Sequence, residues 1–477
     1  MPKLPILVLQ MQRMGDLILS FPLFLMLQRY FPGHPIWVAA EENFYKALMP
    51  VAPEVTFFPS NELNRMHGHE FHLVINLSHR PQAAALGPLV KTEKWIGPRQ
   101  AKDGSTYVHG NWQLYRASLT HNNRHNQFHW AELNLLDVIP YQNLRKTVWT
   151  PPELDLNPGE QTKKIGVFLG ASEPAKRPSA AFWAELVKGL LKRGLKPILL
   201  GGNNERPLGR EVGAAIGSPQ LNLCGRFSVP ELVKFTSTLR LLITPDTGPM
   251  HLAAWLGIPV LNLSLGHVNP WDTAPYQPGH LVLRSSISCR GCWYCPNADL
   301  RCHQSFVPGR VVSLTNALLN KGLGDEGKEY LNKLRFPGQE LFFTSRKNGL
   351  YWLNPSNSNT AHPGHNLLGS FWQTYFGSAF GLWAETQPKK QWKEIANCTP
   401  WLLPAFNKAL SGITKEMSAA IKHNSALPKT FWESSPPLLR PLTSYLQMLL
   451  QNGDYTPQAF AEAMQLVDFL SASTETN

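Results

Sequence analysis

Thr244-Pro245-Asp246-Thr247-Gly248-Pro249-Met250-His251-Leu252-Ala253-Ala254 joins two kinds of local structure. Leu241–Thr244 is a short apolar strand, and Pro249–Trp255 has the composition of a helix. Pro249 stands where a helix tolerates proline, in a first turn whose N–H groups lack intrahelical acceptors. Asp246-Thr247-Gly248 makes the turn between them. Backbone N–H groups at such a helix start bind phosphate, and a glycine permits close approach. Thr247 adds a hydroxyl donor. Asp and Thr also cap ordinary helices, but the length and order of this string favour an anion-binding turn.

The same grammar runs outward in both directions. Upstream, Pro5–Gln10 reads as a strand, and Gly15-Asp16 opens an apolar helix to about Tyr30 with Pro22 inside it. Ile36–Ala39, Val55–Phe58 and Leu73–Leu77 read as strands, and Ala131–Ile139 as a helix. The Pro- and Gly-rich stretch Thr150–Gly159 reads as a linker. Beyond it come the strand Ile165–Leu169, a helix over Ser179–Lys192, and the strands Pro197–Leu200 and Pro259–Leu263. Strands alternating with helices predict parallel sheets. Two such series predict two Rossmann-like domains, with ligands at the carboxyl ends of the strands between them.

Three further motifs sit after strands. Arg13-Met14-Gly15-Asp16 puts a carboxylate at the mouth of the expected cleft, where it could take a proton from a sugar hydroxyl; alone it also fits an ordinary helix cap. Gly170-Ala-Ser-Glu-Pro-Ala-Lys176-Arg177-Pro178 carries two cations able to neutralise a diphosphate, although most such pairs are solvated surface. Gly201-Gly202-Asn-Asn-Glu205 puts a carboxylate where dinucleotide folds hold ribose hydroxyls.

Together the four pieces resemble glycosyltransferase family 9, the ADP-heptose:lipopolysaccharide heptosyltransferases. The matching residues are Gly15-Asp16 with Pro22, Lys176 or Arg177, Gly201-Gly202 with Glu205, and Asp246-Thr247-Gly248 with His251-Leu252-Ala253-Ala254. The resemblance covers roughly residues 1–325. It implies a GT-B fold, inversion at the anomeric carbon and no cofactor for transfer. It also implies an ADP-heptose donor and an anionic glycolipid acceptor of the lipopolysaccharide core type. In that frame Asp16 is the base, and Arg13 and Gly15 lie on the acceptor side. Lys176, Arg177, Glu205, Asp246, Thr247, Gly248 and His251 belong to the donor side, His251 in a supporting part. The alternatives are transfer of another nucleotide-activated sugar to a cell-surface glycan, or a metal-cluster protein.

The metal-cluster alternative rests on Cys289-x2-Cys292-x2-Cys295-x6-Cys302. Four thiolates so close can enclose a tetrahedral zinc. That reading is preferred to an iron–sulfur cluster, whose last spacing differs, and disulfide pairing stays open. His303 could replace one thiolate. Cys224 and Cys398 read as core thiols. His67, His69 and His72, and His121, His125 and His129, read as polar loops, with His129, Arg116 and Arg124 as possible contacts to an anionic acceptor.

The 477 residues carry 45 basic and 33 acidic side chains, a net charge of +12. It is spread as +4, +5 and +3 over residues 1–150, 151–330 and 331–477. An even spread argues against a nucleic-acid arm and suits an anionic small substrate or membrane surface; solubility alone would also explain it. With 43% hydrophobic residues the chain can build a core. No apolar run reaches the ~18 residues of a membrane span, and Met1-Pro2-Lys3 does not open a secretory signal. The expectation is a cytoplasmic protein peripheral to the inner membrane. The expected divisions are 1–155, 156–325 and a mostly helical extension, 326–477. Within the last, Asn348–Ala384 holds no Asp, Glu, Lys or Arg. Trp372, Phe376, Phe380 and Trp383 recur there at helical spacing, which predicts a buried helix in preference to a lipid- or partner-facing surface.

Overall fold

The computed structural model describes residues 3–152, 164–289, 291–293, 295, 299–322, 324–356, 363–423 and 425–475. Most of the expected linker, and the 155/156 boundary, lie outside the described residues.

Two sheets organise the chain. The first contains β1 (Ile6–Gln10), β2 (Ile36–Ala40), β3 (Thr56–Pro59), β4 (Glu70–Asn76), β5 (Lys91–Gln100) and β6 (Thr106–His109), in the order β3-β2-β1-β4-β5-β6. All neighbours are parallel except β5 and β6. The second contains β7 (Lys164–Phe168), β8 (Lys196–Leu200), β9 (Leu241–Thr244), β10 (Val260–Ser264), β11 (Leu281–Ser285), β12 (Gln339–Lys347) and β13 (Leu350–Pro355). Their order is β13-β12-β11-β10-β9-β7-β8, with β12 and β13 antiparallel. Central strands are covered on both faces, and so they read as continuous apolar runs: every residue of β1, β9 and β10 is buried. The expected pair of Rossmann-like units facing a cleft, with a helical region after them, is the architecture found.

Several local expectations change. The helix from Gly15 to Tyr30 is two helices, Met14–Ile18 and Phe21–Tyr30. Pro22 has no N–H to give the carbonyl of Ile18, and the ring would crowd it, so the helix restarts. Over 131–139 only Trp130–Leu133 is helical, and the chain continues as separate turns to Ile139. The extension opens within the helix Asp325–Lys333 and then adds strands: β12 and β13 widen the second sheet. They are joined at Asn348-Gly349, both with positive φ (54° and 84°), as a tight hairpin requires.

The aromatic stripe of the extension is largely interior. Trp372 and Phe376 are buried in helix Pro363–Ala379, while Phe380 and Trp383 follow the helix and are half-buried. They pack on the first unit. The ring centroids of Tyr115 and Phe376 are 4.6 Å apart, and those of Trp112 and Phe380 are 5.0 Å apart. Trp255, from the helix after β9, packs edge-on against Phe21 at 5.2 Å. One hydrophobic cluster therefore joins the first sheet's helices, helix Gly248–Trp255 and the C-terminal helices.

Candidate active site

Each sheet reverses its strand order at one place, β1/β4 in the first and β7/β9 in the second. Ligands bind at such switch points, where connections leave on opposite faces and open a crevice. The turns after β1, β7 and β9 all reach one cavity of about 780 Å3 between the units.

Arg13, Gly15 and Asp16 line it from the first unit. Lys176, Glu205, Asp246, Thr247, Gly248 and His251 line it from the second. Arg177 is not among the lining residues. The helix starts at Gly15 and Gly248 abut: a Cβ on Gly15 would lie 3.0 Å from His251 Cδ2 and 3.3 Å from Gly248 Cα. Side chains at either glycine would push the turns apart.

Asp16 is fixed through its backbone. Its carbonyl accepts from Ser20 Oγ at 2.9 Å and Gln10 Nε2 at 3.3 Å, and its carboxylate accepts the Arg13 N–H at 3.2 Å. Burial pushes its pKa up; the buried Arg116 guanidinium is the strongest opposing influence. Asp246 is half-buried on the cavity wall. It accepts a short hydrogen bond from the Thr273 hydroxyl, and burial raises its pKa to about 6. His251 is pushed down to about 4 by burial, so it is neutral and packs against the Gly15 turn. Lys176 Nζ lies 3.3 Å from Glu173 Oε1. Glu205 accepts the Gly202 N–H at 2.8 Å, in a slot that exists because Gly170 has no side chain: a Cβ there would fall 2.7 Å from Glu205 Cδ.

The cavity also holds residues that the sequence reading passed over: His79, Asn123, His267, Asn269, Asp272, Thr273 and Trp293. Asp272 is their centre. It accepts from Asn123 Nδ2 and Asn126 Nδ2, each at 2.5 Å, and burial raises its pKa to about 7. Asn269 Nδ2 in turn donates to the carbonyls of Asn123 at 2.7 Å and Asn126 at 2.9 Å, so this cluster ties the two units together. Asn269-Pro-Trp-Asp272 follows β10, and polar residues after a buried parallel strand were the available signal.

Other expected contacts are corrected. His129 is buried, donates its Nε2–H to Ala274 O (2.8 Å), and is held near pKa 3 by burial, so it does not face the cavity as an acceptor contact. Arg116 is buried too, with Nη1 bonded to Asn134 Oδ1 at 2.9 Å. Arg124, unlike these two, is half-buried, and its Nη2 donates to Ser288 O at 2.5 Å. His125 lies in a loop as expected but is buried there, and Cys398 is exposed and so not a core thiol, whereas Cys224 is buried. His303 Nε2 lies 2.8 Å from Ala175 O, which leaves Nδ1 as the ring nitrogen able to replace a thiolate. Cys289, Cys292, Cys295 and Cys302 line one small cavity of about 20 Å3 beside Arg284. None of the six cysteines is joined in a disulfide. Among the described residues no three His, Cys, Asp or Glu side chains stand in ion-holding geometry.

Residues 63–298 match the model of glycosyltransferase family 9 (heptosyltransferase). This segment belongs to glycosyltransferase family 9. It is 29% identical to lipopolysaccharide heptosyltransferase 2 of Escherichia coli K12 over 188 residues, 35% of this chain and 53% of that one. It is 30% identical to the Salmonella typhimurium LT2 protein of the same name over 190 residues, 36% of this chain and 54% of that one. The chain thus spans about half the length of the curated relatives it matches. Among solved structures, E. coli ADP-heptose lps heptosyltransferase II superposes with a TM-score of 0.50 at 22% identity, covering 66% of this chain and 98% of that one. A family 9 glycosyl transferase from Veillonella parvula superposes at 0.51 and 18% identity, covering 66% and 97%. At these identities the structural likeness speaks for the fold, and the chain has the GT-B arrangement of two facing units.

Proposed function

We propose that this chain is an inverting glycosyltransferase that moves heptose from ADP-heptose to a hydroxyl of a lipopolysaccharide core-type acceptor. The observation that carries the reading is the shared cavity. In it Asp16 of the first unit faces the turn Asp246–Gly248 of the second, with Lys176 and Glu205 on the same wall.

The donor diphosphate would rest on the N–H groups at the Gly248 helix start, beside the Lys176 ammonium. Glu205 would hold the ribose hydroxyls. Asp246 would keep the sugar-side loop in place through Thr273. Asp16 takes the proton of the acceptor hydroxyl as the oxygen attacks the anomeric carbon. The carbon–oxygen bond to the diphosphate breaks on the opposite face, and its electron pair leaves with ADP. Lys176 and the helix start lower the barrier by stabilising that departing charge. Arg13 and Gly15 would lie on the acceptor side, and closure of the two units would keep water from the donor.

The four cysteines of the 289–302 loop are a donor set for structural zinc, and sharing one cavity supports that reading. One zinc per colourless chain is expected by metal analysis; visible absorption from an iron–sulfur centre would replace it. We place the protein at the cytoplasmic face of the inner membrane, where its acceptor would be anchored. No described helix is long and apolar enough to cross a membrane, so attachment would be peripheral. No nucleic-acid partner is proposed.

Thermal-shift measurements with ADP, UDP, GDP and CMP test the donor class. ADP alone is expected to raise Tm, since a ligand that binds only the folded state stabilises it by mass action. A larger rise with another nucleotide would overturn the assignment of the base, and NMR of the product's anomeric centre tests inversion.

A further inference from the structure

The cysteine-rich loop reaches back to the cleft at two points. Trp293 lies between two imidazoles, His121 of the first unit at 4.8 Å and His267 of the second at 4.3 Å, both rings stacked on it. Its indole N–H donates to Asn123 Oδ1 at 2.9 Å. His121 and Trp293 both hold left-handed backbone, with φ of 58° and 51°. Non-glycine residues keep that conformation only where their surroundings impose it. The loop is pressed close as well: a Cβ on Gly291 would sit 3.3 Å from Arg124 Cα.

The same contacts continue to the donor-side cation. His267 Nε2 lies 3.8 Å from Glu173 Oε1, and that oxygen is 3.3 Å from Lys176 Nζ. Glu173 and Lys176 flank the single turn Pro174–Lys176. At the far end of the loop, the His303 ring N–H donates to Ala175 O, inside that turn, at 2.8 Å. Gly266 backs it from the third side, where a Cβ would meet Ala175 O at 2.7 Å. The turn has no long helix to stiffen it, so its position depends on these neighbours.

We propose that the cysteine-rich loop is the positioning device of the Lys176 turn, with Trp293 and His303 as the positioning residues at its two ends. The proposal rests on the reading of Lys176 as the cation of a diphosphate site. Trp293 also fastens the seam between the units, so the loop sets both where the cation stands and how the two walls of the cleft face each other. His303 does not line the cavity whereas Trp293 does, so the His303 variants separate positioning from direct contact with the ligand.

The test uses the full chain, comparing Trp293→Ala and His303→Ala with the conservative Trp293→Phe and His303→Gln. Amide hydrogen exchange across residues 173–177 and calorimetric binding of ADP are read side by side. Each alanine variant removes one buried contact of the order that shifts an equilibrium about tenfold. Exchange across 173–177 is therefore expected to quicken, and ADP binding to weaken, by about that factor. Trp293→Phe keeps a ring between the imidazoles, and His303→Gln keeps an N–H donor, so both should recover most of the loss. Trp293→Ala should also quicken exchange at 121–124, which His303→Ala should not. Unchanged exchange at 173–177 in the alanine variants overturns the proposal, as does an equal loss in the conservative variants. Should Trp293→Ala fail to fold, His303→Ala and His303→Gln decide it alone. Failure of ADP to bind the unaltered chain would sink the donor reading, while the exchange measurements would still decide whether the loop holds the turn.

Discussion

After β1 the chain turns through Arg13 to Asp16, and after β9 it turns through Asp246 to Gly248. Both turns place a carboxylate beside a glycine at a helix start, and the two glycines meet in the cleft. The carboxylates differ in what holds them. Asp246 is tied down at one carboxylate oxygen by the Thr273 hydroxyl. Asp16 is tied by its backbone carbonyl and, at its carboxylate, by one backbone N–H, and it lines the cavity. In the proposed mechanism one of these carboxylates exchanges a proton with the substrate and the other holds a loop in place. The neighbouring cations follow the same division, with buried Arg116 behind Asp16 and Lys176 beside Asp246.

The largest expected effect breaks this comparison directly. Positioned general bases contribute about a hundredfold to ten-thousandfold. Asp16→Asn should therefore lower kcat by about a thousandfold and leave ADP binding intact. Asp246→Asn keeps an acceptor for Thr273 and should lower kcat by about tenfold at most. Equal losses in steady-state kinetics would mean that the two turns do not divide the work in this way.

A smaller effect sharpens the part of Arg116. Burial raises the pKa of Asp16, and Arg116 opposes the rise, so kcat/KM should fall as pH drops through a value above the ordinary carboxylate range. Without the guanidinium the ionised form loses its main partner. In Arg116→Gln the acid limb should move to higher pH, and a limb that stays where it was would remove Arg116 from the account.

The smallest effect concerns the cluster that joins the units. Asp272 has a folded pKa of about 7 against an ordinary 3.8, so folding takes up a proton over that interval. Its contribution to stability is full below the lower value and is lost as pH rises to the upper one. Asp272→Asn removes that slope. The Tm of the variant relative to the parent should rise between about pH 4 and pH 8. His129 and His251, pushed down to about 3 and 4, act in the opposite sense but are common to both proteins.

The nine site residues that reach the cavity were legible in the sequence because each follows an apolar strand directly, where chain order and spatial order coincide. Asn348-Gly349 was equally legible as a hairpin turn, flanked by alternating residues. It was passed over because its strands lie past the resemblance, in a stretch read only for helical spacing. Asp272, Asn123 and Trp293 carried no comparable signal. Asn123 and Asp272 are 149 residues apart, and nothing local marks them as partners.

What the sequence determined by itself was the alternation of strand and helix, the two facing α/β units and the carboxylates at their turns, because hydrophobic period and turn chemistry act over a few residues. Tertiary structure alone decided which of Lys176 and Arg177 lines the cleft, where the C-terminal helices lie, and that Arg116 and His129 are interior. It also decided that a cysteine loop from the second unit reaches His121 of the first. Those outcomes depend on packing between segments far apart in the chain, where burial, and not residue type, fixes what a charged side chain can do.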